Sequence, residues 1–487
     1  MKKAFSRKNL WQSTPAVVKT LLQPFLSLVK PEILLGRGYR RTMAFIQESD
    51  RWPAERARQY QLAQLQRICR LAAATPFYGR VFRETGFDPR DLKAPEDLAG
   101  LPTIYKFKVI ENLDAMLTMP KAAPGTDYVA TSGTSGQPLR FYIRASRSQT
   151  EFAYLVASWA RAGYRLGMPL AVLRGRPVPA GPAGLHHAFD PILRQHYYSN
   201  FHTTDTDLWA YLEHIGTLGP CFLEAYPSSA AMLASFVDRS GVSRPDNLCG
   251  ILAGSETVLP GQRQYVERIF GCRFFSWYGH TEKLVMAAEC ENSPHYHVWP
   301  TYGYCELIDE QGNLVQQKGQ RGEIVGTGFI NDVTPFIRYR TGDYATYVDD
   351  RCGACGREQM VLADVEGRKL EGFLRGRDGS SICIMNVKLH DQPFREIIDY
   401  QFRQSQPGEA LFCMLPAGPL SPQRVEVLRR RIERSLQNQI SIRMRICSKL
   451  YTTPMGKVPR LIQEIAGQGT DAAAVISPAS PGIPDAA

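Results

Sequence analysis

The chain has 487 residues, 44% of them hydrophobic and 22% charged, enough apolar material for large cores in two or more domains, which excludes a disordered or fibrous polypeptide. Lysine and arginine number 58 against 47 acidic residues, a net charge of +11 that favours anionic ligands; the excess is dispersed, with concentrations at Lys2 to Lys8, Arg37 to Arg41 and Arg429 to Arg434, so no nucleic-acid-binding stripe is expected. The 11 cysteines are scattered and odd in number, unlike a secreted disulfide framework, and with no secretory cleavage pattern a cytoplasmic location is expected.

Residues 1–50 read as a basic, amphipathic N-terminal segment. Between Trp11 and Leu35, Leu21, Leu22, Phe25, Leu26 and Leu28 would share one side of a helix that docks on the body of the protein or, at most, lies on a membrane surface. No stretch reaches the roughly 18 apolar residues needed to span a bilayer. Pro53 to Ala74 reads as an amphipathic helix with Leu62, Leu65, Ile68, Cys69 and Leu71 at helical spacing, stopped by Thr75-Pro76-Phe77-Tyr78.

Next comes Thr131-Ser132-Gly133-Thr134-Ser135-Gly136-Gln137-Pro138, flanked by short strands at Tyr128 to Ala130 and Leu139 to Ile143. Its glycines allow close backbone approach and its hydroxyls offer donors to phosphate oxygens, although neither the P-loop nor the dinucleotide-binding spacing is present. A flexible linker would have the same composition.

Ser148 to Ala162 reads as a helix, followed by apolar strands at Leu170 to Leu173, Phe222 to Tyr226 and Gly250 to Gly254 with a helix from Ser228 to Asp238 between them. This alternation predicts an α/β fold, with a mostly parallel, helix-covered sheet that binds ligands at the carboxyl ends of its strands. Beyond Tyr302 short strands at Tyr304 to Asp309, Gly322 to Gly328 and Tyr344 to Val348 suggest a small antiparallel barrel. Residues 368–467 read as a smaller α+β domain, with a hairpin around Arg377-Asp378-Gly379, helices near Pro393 to Tyr400 and Pro422 to Leu436, and strands at Leu411 to Leu415 and Ser441 to Cys447. Residues 468–487 have the composition of a disordered tail.

Further phrases follow in order: Gly254-Ser255-Glu256, Tyr278-Gly279-His280-Thr281-Glu282, Tyr339-Arg340-Thr341-Gly342-Asp343, Gly367-Arg368 and Gly456-Lys457. With the hydroxyl-glycine loop, they resemble the ordered core motifs of the adenylate-forming superfamily, most closely those of phenylacetate-CoA ligase and of the CapK-type capsule-biosynthesis branch. The resemblance covers most of residues 10–465. It implies a large adenylation domain over 51–367, a mobile lid over 368–467, and ATP-dependent activation of a carboxylic acid as acyl-AMP, with transfer to CoA, another thiol or another nucleophile. It also implies that Thr131, Ser132, Gly133, Thr134, Ser135 and Gly136 hold phosphate and that Gly254, Ser255, Glu256, Tyr278 and Gly279 hold adenine. Thr281 would contact phosphate, Glu282 would help hold Mg²⁺, Asp343 the ribose hydroxyls, Arg368 ribose or phosphate, and Lys457 the carboxylate and α-phosphate.

There are departures from the family pattern. Leu139-Arg140 stands where a lysine commonly follows the loop, and the boundary reads Gly367-Arg368-Lys369-Leu370-Glu371. The segment Ser380 to Asn386 lacks the CoA-ligase consensus. The CapK-type likeness suggests an acid activated for decorating a glycan. Adenylyl or acyl transfer without a thioester, and a non-catalytic nucleotide-binding scaffold of a glycan-assembly complex, are the alternatives. Separately, Cys352-Gly353-Ala354-Cys355 has knuckle spacing, with Cys290 and His297 upstream; the likeness to relatives of phenylacetate-CoA ligase that carry such a Cys/His set implies a closed structural zinc site here, His295 competing for the fourth position, and two free cysteines in a turn are the alternative.

Overall fold

The computed structural model describes residues 25–131, 139–175, 178–181, 184–258, 261–367, 373–384, 387, 394, 397–416, 419–447 and 461–465. Among these, the residues up to 131 and from 139 to 367 form one compact unit, and those from 373 onward form a second.

In the first unit, helix α1 (Pro31–Ser49) opens with a proline in its first turn and kinks at Gly36, where φ is 89°. Its Tyr39 ring lies 5.9 Å from that of Phe152, and Tyr39 and Ile46 join a core cluster with Tyr154, Trp299 and Tyr302. The described part of the N-terminal segment therefore docks on the body of the protein; Leu21 and Leu22 lie outside the described residues, and Phe25 and Leu28 are exposed. Helix α2 (Ala54–Ala73) buries Leu65, Ile68, Cys69 and Ala72 on one stripe; Leu62 is half-buried, and Leu71, expected on the same face, is exposed. Helix α3 (Pro76–Thr85) starts at a Thr75 cap and ends at left-handed Gly86.

After α4 (Lys106–Asn112), strands β1 (Thr126–Ala130) and β2 (Arg140–Arg144) form an antiparallel hairpin in register Ala130 to Arg140. Then come α5 (Arg147–Ala160), β3 (Leu170–Arg174), β4 (His187–Asp190), β5 (Gln195–Ser199), α6 (Asp205–Gly216), β6 (Cys221–Ala225), α7 (Pro227–Ser240), β7 (Leu248–Gly254), α8 (Gln262–Phe270) and β8 (Arg273–Gly279). Strands β5, β3, β6, β7 and β8 are neighbours in that order and parallel. Alternate residues feed two cores. Leu223 and Ile251 pack with Leu212, Leu233 and Phe270 from α6, α7 and α8, whereas Phe222 and Leu252 pack with Trp159 and Tyr164 at the end of α5. Burial on both faces explains why these strands read as continuous apolar runs.

Strands β9 (Met286–Ala288), β10 (Tyr296–Val298), β11 (Gly303–Ile308), β12 (Arg321–Gly328), β13 (Tyr339–Asp349) and β14 (Val361–Glu366) complete a 12-stranded sheet in the order β11-β12-β13-β14-β10-β9-β8-β7-β6-β3-β5-β4. The antiparallel strands beyond Tyr302, expected as a small barrel, are thus continuous in hydrogen bonding with the parallel strands. The joints are β9 and β10, three residues each, too short to announce themselves by periodicity.

The second unit holds a hairpin of β15 (Phe373–Arg375) and β16 (Ser381–Cys383), and a four-stranded sheet. Its strands are β17 (Ile397–Gln406), β18 (Glu409–Pro416), β19 (Ser441–Ile446) and β20 (Leu461–Gln463), in the order β19-β18-β17-β20, with helix α9 (Pro422–Ser435) between β18 and β19. The helix expected up to Tyr400 is corrected here: from Ile397 the chain is strand, with Tyr400, Phe402 and Gln404 buried on one face and Gln401 on the other. Among the described residues, no helix is long and apolar enough to cross a membrane.

Candidate functional site

Because β3, β6, β7 and β8 are parallel, the residues at their carboxyl ends share one edge of the sheet. Arg174 closes β3 after four buried apolar residues. Its guanidinium pairs with Glu224 of β6 at 2.5 Å, lies over the Tyr226 ring 4.8 Å from the centroid, and donates to the Ser255 hydroxyl just beyond β7. Ser255 adopts φ of 70°, a left-handed conformation that lifts the chain out of the strand. Gly254 before it is required by close packing, since a Cβ there would stand 2.5 Å from the Trp277 indole.

The end of β8 brings the second and third motifs together. Tyr278 is buried, and its hydroxyl donates to Asp343 Oδ2 at 2.7 Å. Burial, reinforced by the Asp343 charge, holds the phenol far above its ordinary range, so it stays a donor. Asp343 lies in β13 after Gly342, whose φ of 76° coincides with a break in the ladder to β12. Thr341 donates its hydroxyl to Ile324 O and accepts from the Asp343 N–H, while Glu323 accepts from the Gly342 N–H at 3.0 Å. Gly367 completes the group: its N–H donates to the Thr257 hydroxyl, and a Cβ on it would sit 3.9 Å from Asp343 Oδ1.

Glu282 is buried beside these residues. The hydroxyl of Tyr339 donates to its Oε1 at 3.4 Å, and His280 Nδ1 lies 3.4 Å from its Oε2. The Val285 N–H donates to His280 Nε2 at 3.3 Å, which assigns the ring proton to Nδ1, the nitrogen facing Glu282. Thr281 is half-buried on the turn between His280 and Lys283. Thr131 and Leu139 close the neck of the hydroxyl-glycine loop, the Thr131 N–H donating to Leu139 O and its hydroxyl accepting from the Leu139 N–H. Ser132, Gly133, Thr134, Ser135, Gly136, Arg368 and Lys457 lie outside the described residues.

Ser255, Tyr278, Gly279, Glu282 and Asp343 thus gather at or beside one edge of the sheet, with Glu256 following Ser255. Sequence reading missed Arg174 and Thr257, and gave Tyr339, which opens a quoted phrase, no role of its own. An arginine closing a buried apolar strand was the available signal for Arg174; Thr257 and Tyr339 act only through the fold.

The Cys/His set also converges. Cys290, His297, Cys352 and Cys355 each place a ligand atom within 4.8 Å of all the others, and His295 is not among them. None of the 11 cysteines forms a disulfide. His297 of β10 directs Nδ1 at the Cys355 sulfur, 4.0 Å away, while its buried Nε2 has no hydrogen-bond partner among the described residues. The knuckle between β13 and β14 is formed by the Gly356 N–H donating to Cys352 O at left-handed Gly356, and by the Cys352 N–H donating to Arg357 O. Arg357 ties it down through Asp50 at 2.8 Å and Glu291 at 2.6 Å. Burial opposes ionisation of Cys355, but hydrogen bonds from the Arg357 backbone and guanidinium and from Cys352 outweigh it, so the thiol sits below its ordinary range. Burial, aided by the Arg161 and Arg357 charges, lowers His297 to about 3 and keeps it neutral. Three thiols and a neutral imidazole in a closed, buried group fit tetrahedral zinc.

No family model matches the chain. It is 26% identical over 443 residues to a phenylacetate-coenzyme A ligase of Thermus thermophilus, an alignment covering 86% of this chain and 97% of the relative. It is 19% identical over 385 residues to protein CapK of Staphylococcus aureus, covering 78% and 83%. Its fold is that of a 2-hydroxyisobutyryl-CoA ligase solved in the postadenylation state with R3-HIB-AMP, at a TM-score of 0.55 and 20% identity over 85% of this chain and 91% of that one. Over most of its length the chain is thus similar to phenylacetate-CoA ligases and to CapK, and it shares the fold of an acyl-CoA ligase that forms an acyl-adenylate.

Proposed function

We propose that the chain is an ATP-dependent ligase that activates a carboxylic acid as acyl-AMP and passes the acyl group to a thiol. The observation carrying this reading is the meeting of Tyr278, Asp343 and Gly367 beside the carboxyl ends of β7 and β8. A ribose presents two adjacent hydroxyls and a carboxylate has two acceptor oxygens; Tyr278 fixes one side of Asp343 so that the group is oriented before nucleotide arrives. Gly254, Ser255, Glu256 and Gly279 would border the adenine on the same edge.

In the first half-reaction a carboxylate oxygen of the acid attacks the α-phosphorus, the bond to the bridging oxygen breaks, and pyrophosphate leaves with that electron pair. Thr131, the hydroxyl-glycine loop through Gly136, and Thr281 would hold the phosphates, and Arg368 and Lys457 would neutralise charge around the α-phosphate. Glu282, its carboxylate oriented by Tyr339, is the oxygen donor that would hold Mg²⁺, which when bound neutralises polyphosphate charge. In the second half-reaction a thiolate attacks the acyl carbon and AMP leaves. Movement of residues 368–467 about Lys369 would withdraw Lys457 between the two steps. Cys290, His297, Cys352 and Cys355 would hold a structural zinc ion.

The likeness to phenylacetate-CoA ligases supports CoA as the thiol; the likeness to CapK favours an acid destined for a glycan. The test is ATP–pyrophosphate exchange with Mg²⁺ across aryl, fatty, amino and sugar acids, followed by mass spectrometry of the products with and without CoA. Exchange with one acid class and a CoA-dependent thioester support the reading. Nucleotide binding without exchange on any acid would instead support a scaffold, and exchange without a thioester would move the acceptor to another nucleophile.

A further inference from the structure

A second group of potential metal ligands stands on the opposite flank of the parallel strands, independent of the nucleotide site and of the cysteine set. Strand β4 pairs antiparallel with β5 in the register His187 to Tyr198 and Phe189 to His196. Directly opposed residues share a face, so His187 and His196 are diagonal neighbours on one side of this edge hairpin, with Tyr198. The last turn of α6 carries His214 onto the same side, where α6 is already packed through Leu208, Tyr211 and Leu212. One nitrogen from each of the three imidazoles lies within 4.8 Å of the others, and no cysteine or carboxylate belongs to the group.

The ring geometry is specific. His187 Nε2 and His196 Nδ1 face each other at 3.1 Å, close to the spacing of two imidazole nitrogens on one tetrahedral ion with bonds of about 2.0–2.1 Å. The Tyr198 oxygen is 2.7 Å from His214 Nδ1. That contact fixes the ring, in the way that a second hydrogen bond orients metal-bound histidines, and leaves one nitrogen for a ligand. Burial, helped by the neighbouring imidazoles, lowers His187 and His196 to about 4, and burial lowers His214, so all three offer neutral nitrogens at physiological pH. All three are half-buried rather than sealed in the core.

We propose that His187, His196 and His214 form a zinc-type divalent-metal site that ties the β4–β5 hairpin to α6, with water in the remaining position. Imidazole-only ligation selects borderline ions such as Zn²⁺ and Co²⁺ over the hard Mg²⁺ used with nucleotides.

The test is cobalt titration of the chelator-treated, untagged full chain carrying Cys352→Ser and Cys355→Ser, which removes two ligands of the other set. A visible d–d spectrum free of sulfur-to-metal charge transfer, with affinity falling about tenfold or more on His196→Ala, is the expected result. His214→Gln serves as the second variant if His196→Ala loses its circular dichroism signal. If the double-serine chain does not fold, the same comparison is made by zinc content of the wild type against His196→Ala, which should lose one equivalent. Absence of the spectrum, or cobalt binding unchanged by either histidine substitution, overturns the proposal.

Discussion

The Tyr278 hydroxyl donates to Asp343 Oδ2 at 2.7 Å, joining the end of β8 to the middle of β13. A hydrogen bond to an ionised acceptor contributes about 1.5–3 kcal/mol, and here it also fixes the carboxylate that we assign to the ribose. Asp343→Asn should raise the KM for ATP by about tenfold or more, and Tyr278→Phe by less, because the carboxylate is retained but loses its orientation. Pyrophosphate exchange over a range of ATP concentrations measures both. An unchanged KM in Asp343→Asn would remove Asp343 from the nucleotide site.

Gly254 is held to zero side chain by Trp277, whose indole a Cβ would approach to 2.5 Å. Overpacking of this kind costs about 1–3 kcal/mol. Gly254→Ala should therefore lower the denaturation midpoint, whereas Gly219→Ala, with open space around it, should stay within about 0.5 kcal/mol of the parent. Equal effects in urea melts would contradict the packing argument.

Arg161 is almost fully buried, paired with Asp50 at 2.7 Å and stacked 4.0 Å over the Trp299 ring. Breaking a buried pair ordinarily costs about 3–5 kcal/mol because a charge is left unpaired. Asp50 keeps Arg357 as a second partner, so Arg161→Met should cost less, about 1–3 kcal/mol. The exposed pair Arg58 to Glu96 contributes at most about 1 kcal/mol, so Arg58→Met is the surface comparison. Calorimetry on both variants should rank them in that order; the reverse ranking would show that Arg161 is replaceable by apolar packing.

The thiol of Cys355 is half-buried and below its ordinary pKa range, a combination that makes a free cysteine reactive. Chelator-treated protein should be alkylated by iodoacetamide at Cys355, and added zinc should protect it. Cys352→Ser should abolish the protection. Alkylation that ignores zinc would argue that the knuckle is only a turn.

The part of the candidate site that lies in short local phrases was legible in the sequence. Tyr278 to Glu282 and Tyr339 to Asp343 are short phrases whose residue types and order carry the resemblance, and the parallel strands announce themselves as apolar runs buried on both faces. Contacts over long separations were not legible. The sequence named His297 with the three cysteines but left His295 competing; the pairing of His297 with Val361 in β10 and β14 is what decides for His297. Likewise Ile397 to Tyr400 reads as a helix end until Phe402 and Gln404 extend the period of two. The joints β9 and β10 are specified by their neighbours rather than by themselves.

Lys457 is the sharpest test of the proposed chemistry. A cation that meets the acid's carboxylate and the α-phosphate only as the new bond forms stabilises the transition state and contributes little to ground-state nucleotide binding. Lys457→Ala should therefore lower pyrophosphate exchange by about 10²-fold or more, with ATP affinity by fluorescence titration changed much less. Acyl transfer from a chemically supplied acyl-adenylate to CoA should survive, since that half-reaction does not need the lysine. Normal exchange in Lys457→Ala would sink the assignment. Equal loss of both half-reactions would point instead to damage to the small unit, which the circular dichroism melt of the variant would reveal.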